Sequence, residues 1–61
     1  MKLLHGVSLD EAKNNAYELS CENWNTHFHV IKNDDETYSV SRYYDEQAFC
    51  FYIKGNYYKH R

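Results

Sequence analysis

The segment SLDEAKNNAYELSCE, residues 8–22, is the strongest indication of the fold class because it carries both a start signal and a periodicity for one α-helix. Ser8 can accept a backbone hydrogen bond at the helix start, and Glu11, three residues later, can reach back to complete a capping box. We therefore predict a helix that begins at Leu9 and ends near residues 20–22. Apolar side chains recur at helical spacing and form one stripe that faces the core. The stripe comprises Leu9, Ala12, Ala16 and Leu19.

After residue 26 the apolar period changes to two, which is typical of half-buried β-strands. Three alternating segments follow, at residues 27–31, 38–41 and 49–53, with turn residues at 33–36 and at Asp45-Glu46. Gly55-Asn56 is a hairpin signal that predicts a short edge strand over residues 57–61. Residues 3–7 are predicted to form a first strand. The expected fold is therefore α+β, β-α-β-β-β, with one N-terminal helix packed on a mostly antiparallel meander sheet.

The meander predicts which side chains the helix covers. A two-residue reversal at Asp45-Glu46 brings the apolar sets of its two strands onto one face. The predicted cross-strand pairs are Arg42–Phe49, Val40–Phe51, Tyr38–Ile53, Tyr58–Ile53 and Lys59–Tyr52. The predicted helix-facing set is Phe28, Val30, Val40, Phe51 and Ile53, onto which Trp24 is expected to fold back. The predicted uncovered set is His27, His29, Ile31, Tyr43, Tyr52, Lys54, Tyr57, Lys59 and Arg61.

Composition places the chain among small single domains, here residues 1–61. Aliphatic residues are few, so the eleven aromatic residues, one Trp, seven Tyr and three Phe, must do much of the packing. No apolar run approaches the roughly 20 residues that span a bilayer, and the start is too short for a signal peptide, so we expect a cytoplasmic protein without membrane contact. Cys21 and Cys50 lack Cys-x-x-Cys spacing, which favours free thiols in a reducing compartment.

The predicted uncovered face combines rings with positive charges, which suggests a binding function. We expect a protein partner or self-association as a dimer, through Tyr43, Tyr52, Lys54, Tyr57, Lys59 and Arg61, with the acidic face of the predicted helix as the alternative docking surface. The alternative is single-stranded nucleic acid, because rings stack on bases while cations follow phosphates; the net charge of −2 argues against it. A composition rich in Asn, Tyr and Lys without Pro suggests a phage or mobile element, and hence an inhibitor or regulator of a host protein.

Catalytic and metal-binding signals are weak. The best nucleophile–base combination is Cys50 with His27 or His29, but no spacing supports it, and two glycines cannot form a phosphate-binding loop. His27-x-His29 could serve a metal only with ligands from elsewhere, and the predicted hairpin turns His60 toward the face opposite His29. The remaining candidates for such a metal site are Cys21, Cys50 and His5. We therefore expect no enzyme, cofactor, metal or small-molecule substrate.

Overall fold

The helix begins where its cap is formed. In the structure, a computed structural model that describes residues 2–60, α1 spans Leu9–Glu22. The Glu11 N–H donates to Ser8 Oγ at 3.2 Å, and the Ser8 N–H donates to Glu11 Oε1 at 3.1 Å. Both halves of the capping box are thus present, and the predicted start and end of the helix are confirmed.

Four antiparallel strands form one sheet under α1. They are β1 Phe28–Lys32, β2 Tyr38–Ser41, β3 Ala48–Ile53 and β4 Asn56–Lys59, in the order β2-β1-β3-β4. The α+β class, with one N-terminal helix on an antiparallel sheet, is confirmed. The predicted first strand at residues 3–7 is reduced to a single bridge between Val7 and Tyr38, beside a hydrogen bond from the Val40 N–H to the Leu4 carbonyl at 2.9 Å.

The strand order differs from the predicted meander. The β1–β2 hairpin forms at the predicted turn, where the Asn33 N–H donates to the Thr37 carbonyl at 2.8 Å. β1 then lies between β2 and β3, so the predicted pairs Arg42–Phe49, Val40–Phe51 and Tyr38–Ile53 are wrong. The connection over residues 42–47 passes the end of β1, a distance of about 10 Å for two strand spacings, which a six-residue segment reaches easily.

Because β3 pairs with β1 and not with β2, the two faces of β3 are exchanged relative to the prediction. Val30 pairs with Val40 on one side and with Cys50 on the other, which places Cys50 and Tyr52 beneath the helix. Phe51 alternates with them and faces the other side, so the predicted helix-facing positions of Phe51 and Ile53 are wrong. A register shift near Val30 leaves Phe49 as the extra residue of a β-bulge. The buried core cluster is Ala12, Ala16, Leu19, Phe28, Val30, Val40, Cys50 and Tyr52.

Two further predictions fail near the edges of the sheet. Trp24 does not fold back, since its side chain is 57% exposed. The last hairpin turns at Lys54 and Gly55, whose φ values of 55° and 75° satisfy the need of a type I′ turn for two positive φ angles. The register therefore moves by two residues, and the predicted pairs Tyr58–Ile53 and Lys59–Tyr52 are replaced. The observed pairs are Phe51–Tyr58, Tyr52–Tyr57 and Cys50–Lys59.

Candidate binding face

The sheet face that α1 leaves uncovered carries a continuous cluster of six aromatic or imidazole rings, which we call the open face. Two rings come from β1 and the residue before it, one from β3, two from β4 and the residue after it, and one from the connection between β2 and β3. Alternation along antiparallel strands brings the first five onto one side. The six residues are His27, His29, Tyr44, Phe51, Tyr58 and His60.

Phe51 occupies the centre of the open face. Its ring centroid lies 5.2 Å from that of His27, 5.6 Å from that of His29 and 4.8 Å from that of His60. Tyr58 stacks on the Phe51 ring at 5.2 Å with an interplanar angle of 18°. Each of these rings thus packs against neighbours that restrict its rotamers.

His29 is the buried member of the cluster, with only 7% of its surface exposed. Its Nδ1 lies 3.3 Å from Nε2 of His60, and the two rings are nearly parallel at 5.4 Å between centroids. One nitrogen must donate and the other accept, so this hydrogen bond requires that at least one of the two nitrogens is deprotonated. Tyr44 packs edge-on against both rings, at 6.0 Å from His29 and 5.4 Å from His60.

The electrostatics of the open face follow from that burial. Burial lowers the pKa of the His29 imidazole below its ordinary value of 6.5, and the neighbouring His60 and His27 lower it further because a second positive charge would be repelled. His29 is therefore neutral at pH 7. Among residues 2–60, the cation–π contacts are those of Lys13 with Tyr57 and of Arg42 with Tyr43, and neither involves a ring of the open face.

The structure does not bring the six predicted partner-binding residues together. Tyr52, Tyr57 and Lys59 lie on the helix side of the sheet, because the exchange of faces in β3 carries its β4 neighbours with it. Tyr52 is buried and packs edge-on against Tyr17, and the Lys13 ammonium lies 5.3 Å from the Tyr57 ring centre. Their predicted place on the uncovered face is wrong, while their role in partner binding stays a prediction.

The other three predicted residues are dispersed. Tyr43 is exposed in the connection between β2 and β3, where the Arg42 guanidinium lies 5.8 Å from its ring centre. Lys54 occupies the β3–β4 turn, and Arg61 lies outside the described residues. Of the wider uncovered set, His27 and His29 are confirmed on the open face, and Ile31 shares the parity of His29 along β1.

Sequence reasoning missed Tyr44, Phe51, Tyr58 and His60. The prediction that His60 faces away from His29 is wrong, since the two imidazoles stack. A signal was present in Tyr58-x-His60, which repeats the spacing of His27-x-His29 and places two rings on one face of a strand. This spacing alone does not show that the rings of β4 lie on the same side of the sheet as those of β1, because that depends on how both strands pair with β3.

The thiols differ in environment. Cys21 is exposed and Cys50 is buried, and both are free as predicted. Burial raises the pKa of the Cys50 thiol, an effect that the positive charge of Lys13 and a hydrogen bond with Tyr57 partly offset. Cys50 is thus a protonated core residue at neutral pH.

Within residues 2–60 no three His, Cys, Asp or Glu side chains are arranged to hold a metal ion, and no pocket is present. In that range, too, no helix has the length and apolarity needed to cross a membrane. No known protein family matches the chain, and neither a curated protein nor a solved structure shows significant similarity to it.

Proposed function

We propose that the chain is a small non-enzymatic binding protein whose open face docks on a protein partner. The observation that carries the proposal is a pair of exposed tyrosines that pack on the other rings of the open face. Tyr44 is 65% exposed and Tyr58 is 46% exposed. Tyrosine is enriched among the residues that dominate binding energy in protein interfaces. Its ring contributes apolar contact area while its hydroxyl finds a hydrogen bond at the rim.

Pre-organisation supports the same proposal. Ordering a mobile side chain on binding costs about 0.5–1.5 kcal/mol. Tyr58 is already stacked on Phe51, and Tyr44 already packs on His29 and His60. A partner that covers this surface therefore loses less of its binding energy to the ordering of side chains than it would on a surface of isolated rings.

The geometry favours a protein over a single-stranded nucleic acid. Stacking on bases would be served by the rings, but phosphates need cations beside them. Lys59 pairs with Cys50 and therefore points to the helix side, and Lys54 is confined to the β3–β4 turn. Of the three cations on which the nucleic acid alternative depended, Lys59 thus lies on the opposite side of the sheet from the rings, Lys54 lies in the turn, and Arg61 lies outside the described residues.

The test is photo-crosslinking at defined positions, followed by affinity measurement. A benzophenone amino acid replaces Tyr44 in one variant and Tyr17, exposed on the helix, in a control; each is irradiated in cells that encode the protein. We expect a protein adduct at position 44 that is absent at position 17. An adduct with nucleic acid at position 44, or the same adducts at both positions, would contradict the proposal.

A matched pair of alanine variants then measures the contribution of the open face. Tyr44→Ala removes a ring of the cluster, whereas Tyr43→Ala removes its exposed neighbour outside the cluster. We expect Tyr44→Ala to weaken the captured complex by at least about tenfold, the size of an ordinary hot-spot effect, and Tyr43→Ala to change it by less than about twofold. Equal effects would show that the ring cluster does not determine binding. Circular dichroism confirms that both variants remain folded.

A further inference from the structure

The two edge strands of the sheet differ in whether another segment of the chain covers them. At β2, Val7 and Tyr38 exchange two hydrogen bonds, at 3.0 and 2.8 Å, and Leu4 accepts a third from Val40, so the N-terminal segment covers that edge. At β4, all four residues are exposed, and no segment of residues 2–60 pairs with the outer side. An uncovered edge presents unpaired N–H and C=O groups that can pair with another strand.

The phase of the β3–β4 hairpin shows which groups point outward. The two-residue turn at Lys54-Gly55 makes Ile53 and Asn56 a hydrogen-bonded pair, and the His60 N–H donates to the Phe49 carbonyl at 3.0 Å. Hydrogen-bonded and non-hydrogen-bonded pairs alternate in an antiparallel ladder. The N–H and C=O groups of Tyr57 and Lys59 therefore project from the outer edge of β4.

We propose that β4 pairs antiparallel with β4 of a second copy of this chain, with Tyr57 of each copy opposite Lys59 of the other. This register uses all four outward groups of each strand and places the two-fold axis at Tyr58. It also brings each Lys59 ammonium beside a tyrosine ring of the other copy, a favourable cation–π arrangement. The strand is thus complementary to itself.

Neighbouring registers are less favourable. A shift of two residues in one direction sets Lys59 opposite Lys59, and like charges directly opposite each other are destabilising. A shift in the other direction sets Tyr57 opposite Tyr57 and moves Lys59 opposite Gly55, where a turn replaces the strand. In the proposed register the two Lys59 side chains are only diagonal neighbours. The charges on the edge therefore select one pairing.

The product is a continuous eight-stranded sheet. Because the two-fold axis is perpendicular to the sheet, both open faces lie on the same side and meet where the two Tyr58 side chains are neighbours. Each four-residue strand offers few contacts, so the interface is small and the dimer is expected to be weak and dependent on concentration. This pairing is independent of the partner proposed for the open face.

Disulfide trapping tests the register. In a Cys21→Ser background, which removes the exposed native thiol, Tyr58→Cys places two cysteines in a non-hydrogen-bonded pair. The Cα atoms of such a pair are about 4.5 Å apart, within the range that a disulfide spans. Asn56→Cys is the matched control, because it is exposed on the same strand and face but would lie opposite residue 60 of the second copy.

We expect Tyr58→Cys to form a disulfide-linked dimer under mild oxidation at least about tenfold faster than Asn56→Cys. Equal rates at the two positions would overturn the proposal. A second measurement needs no cysteine: sedimentation equilibrium of the unmodified chain should show a monomer–dimer equilibrium, which Lys59→Pro shifts to monomer by removing an outward N–H that β3 does not use. A chain that stays monomeric at millimolar concentration, or a Lys59→Pro variant that dimerises equally well, would also overturn it.

Discussion

Protonation of His29 is expected to destabilise the fold, and the sign follows from its surroundings. Burial, then the neighbouring His60 and His27, lower the pKa of this imidazole in the folded chain below its ordinary value of 6.5. The unfolded chain therefore binds a proton more readily than the folded one. We predict that stability is complete above pH 6.5 and is lost as the pH falls from that value through the folded-state pKa.

The size of the pH effect on stability is set by the one proton that His29 binds. When the unfolded state binds one more proton than the folded state, the free energy of unfolding falls by about 1.4 kcal/mol per pH unit. A chain of 61 residues has a total stability of only about 3–9 kcal/mol. The slope of about 1.4 kcal/mol per pH unit is therefore the upper limit for this single group, and it is large enough to measure against the total.

Urea denaturation followed by circular dichroism at pH 7.5, 6.5, 5.5 and 5.0 measures this slope. The series stops at pH 5.0 to leave out a second source of acid sensitivity. Hydrogen bonds from Thr37 lower the pKa of Asp35, so protonation of Asp35 at lower pH also reduces stability. His29→Gln removes the titrating group and should abolish most of the slope, whereas His5→Gln, at an exposed site, should leave it unchanged. A His29→Gln variant with the slope of the unmodified chain would refute the reasoning.

Three further substitutions test the fold by the same denaturation assay. Leu19→Ala should cost about 2–5 kcal/mol because Leu19 is only 6% exposed within the core; a near-neutral result would mean that the helix packs differently. Ser8→Ala should cost about 1 kcal/mol by removing the acceptor of the Glu11 N–H, and an unchanged midpoint would contradict the cap. Gly55→Ala should cost about 1–2 kcal/mol from its positive φ. The added Cβ would also meet Cys21 Sγ at 3.0 Å, so part of the loss should be recovered in Cys21→Ala but not all of it.

The parts of the fold that sequence reasoning predicted correctly are those determined by local chemistry. Ser8 and Glu11 form their capping box within one turn, so the helix start could be read from four residues. The β1–β2 hairpin also depends on adjacent residues. The partner of β3 depends instead on where residues 42–47 lead the chain, and nothing in that segment distinguishes a tight reversal from a passage past β1.

The difference between the predicted uncovered set and the open face has the same cause. Side chains in a strand alternate with a period of two, so an error in the partner of β3 exchanged every residue of that strand between the two faces. The prediction puts Tyr52 on the uncovered face, where the structure has Phe51. The β4 residues share the face of their β3 partners, so the same exchange applies to them. The predicted positions of His27 and His29 are correct because they depend only on the alternation of side chains along β1. The rings that complete the cluster depended on the long-range pairing.

Size, rather than hydrophobicity, explains why the less apolar face of β3 lies inside. Ala12 and Ala16 are both fully buried, so the middle of the α1 face that meets the sheet, between Leu9 and Leu19, carries little side-chain volume. A helix of this kind can lie close to the sheet only where the strand beneath it offers a small residue. Cys50 at the centre of β3 satisfies that requirement, whereas a phenylalanine there would hold the helix away. Phe51, which alternates with Cys50 and Tyr52, consequently lies on the other side of the sheet, where its ring contacts those of His27, His29 and His60 in the open face.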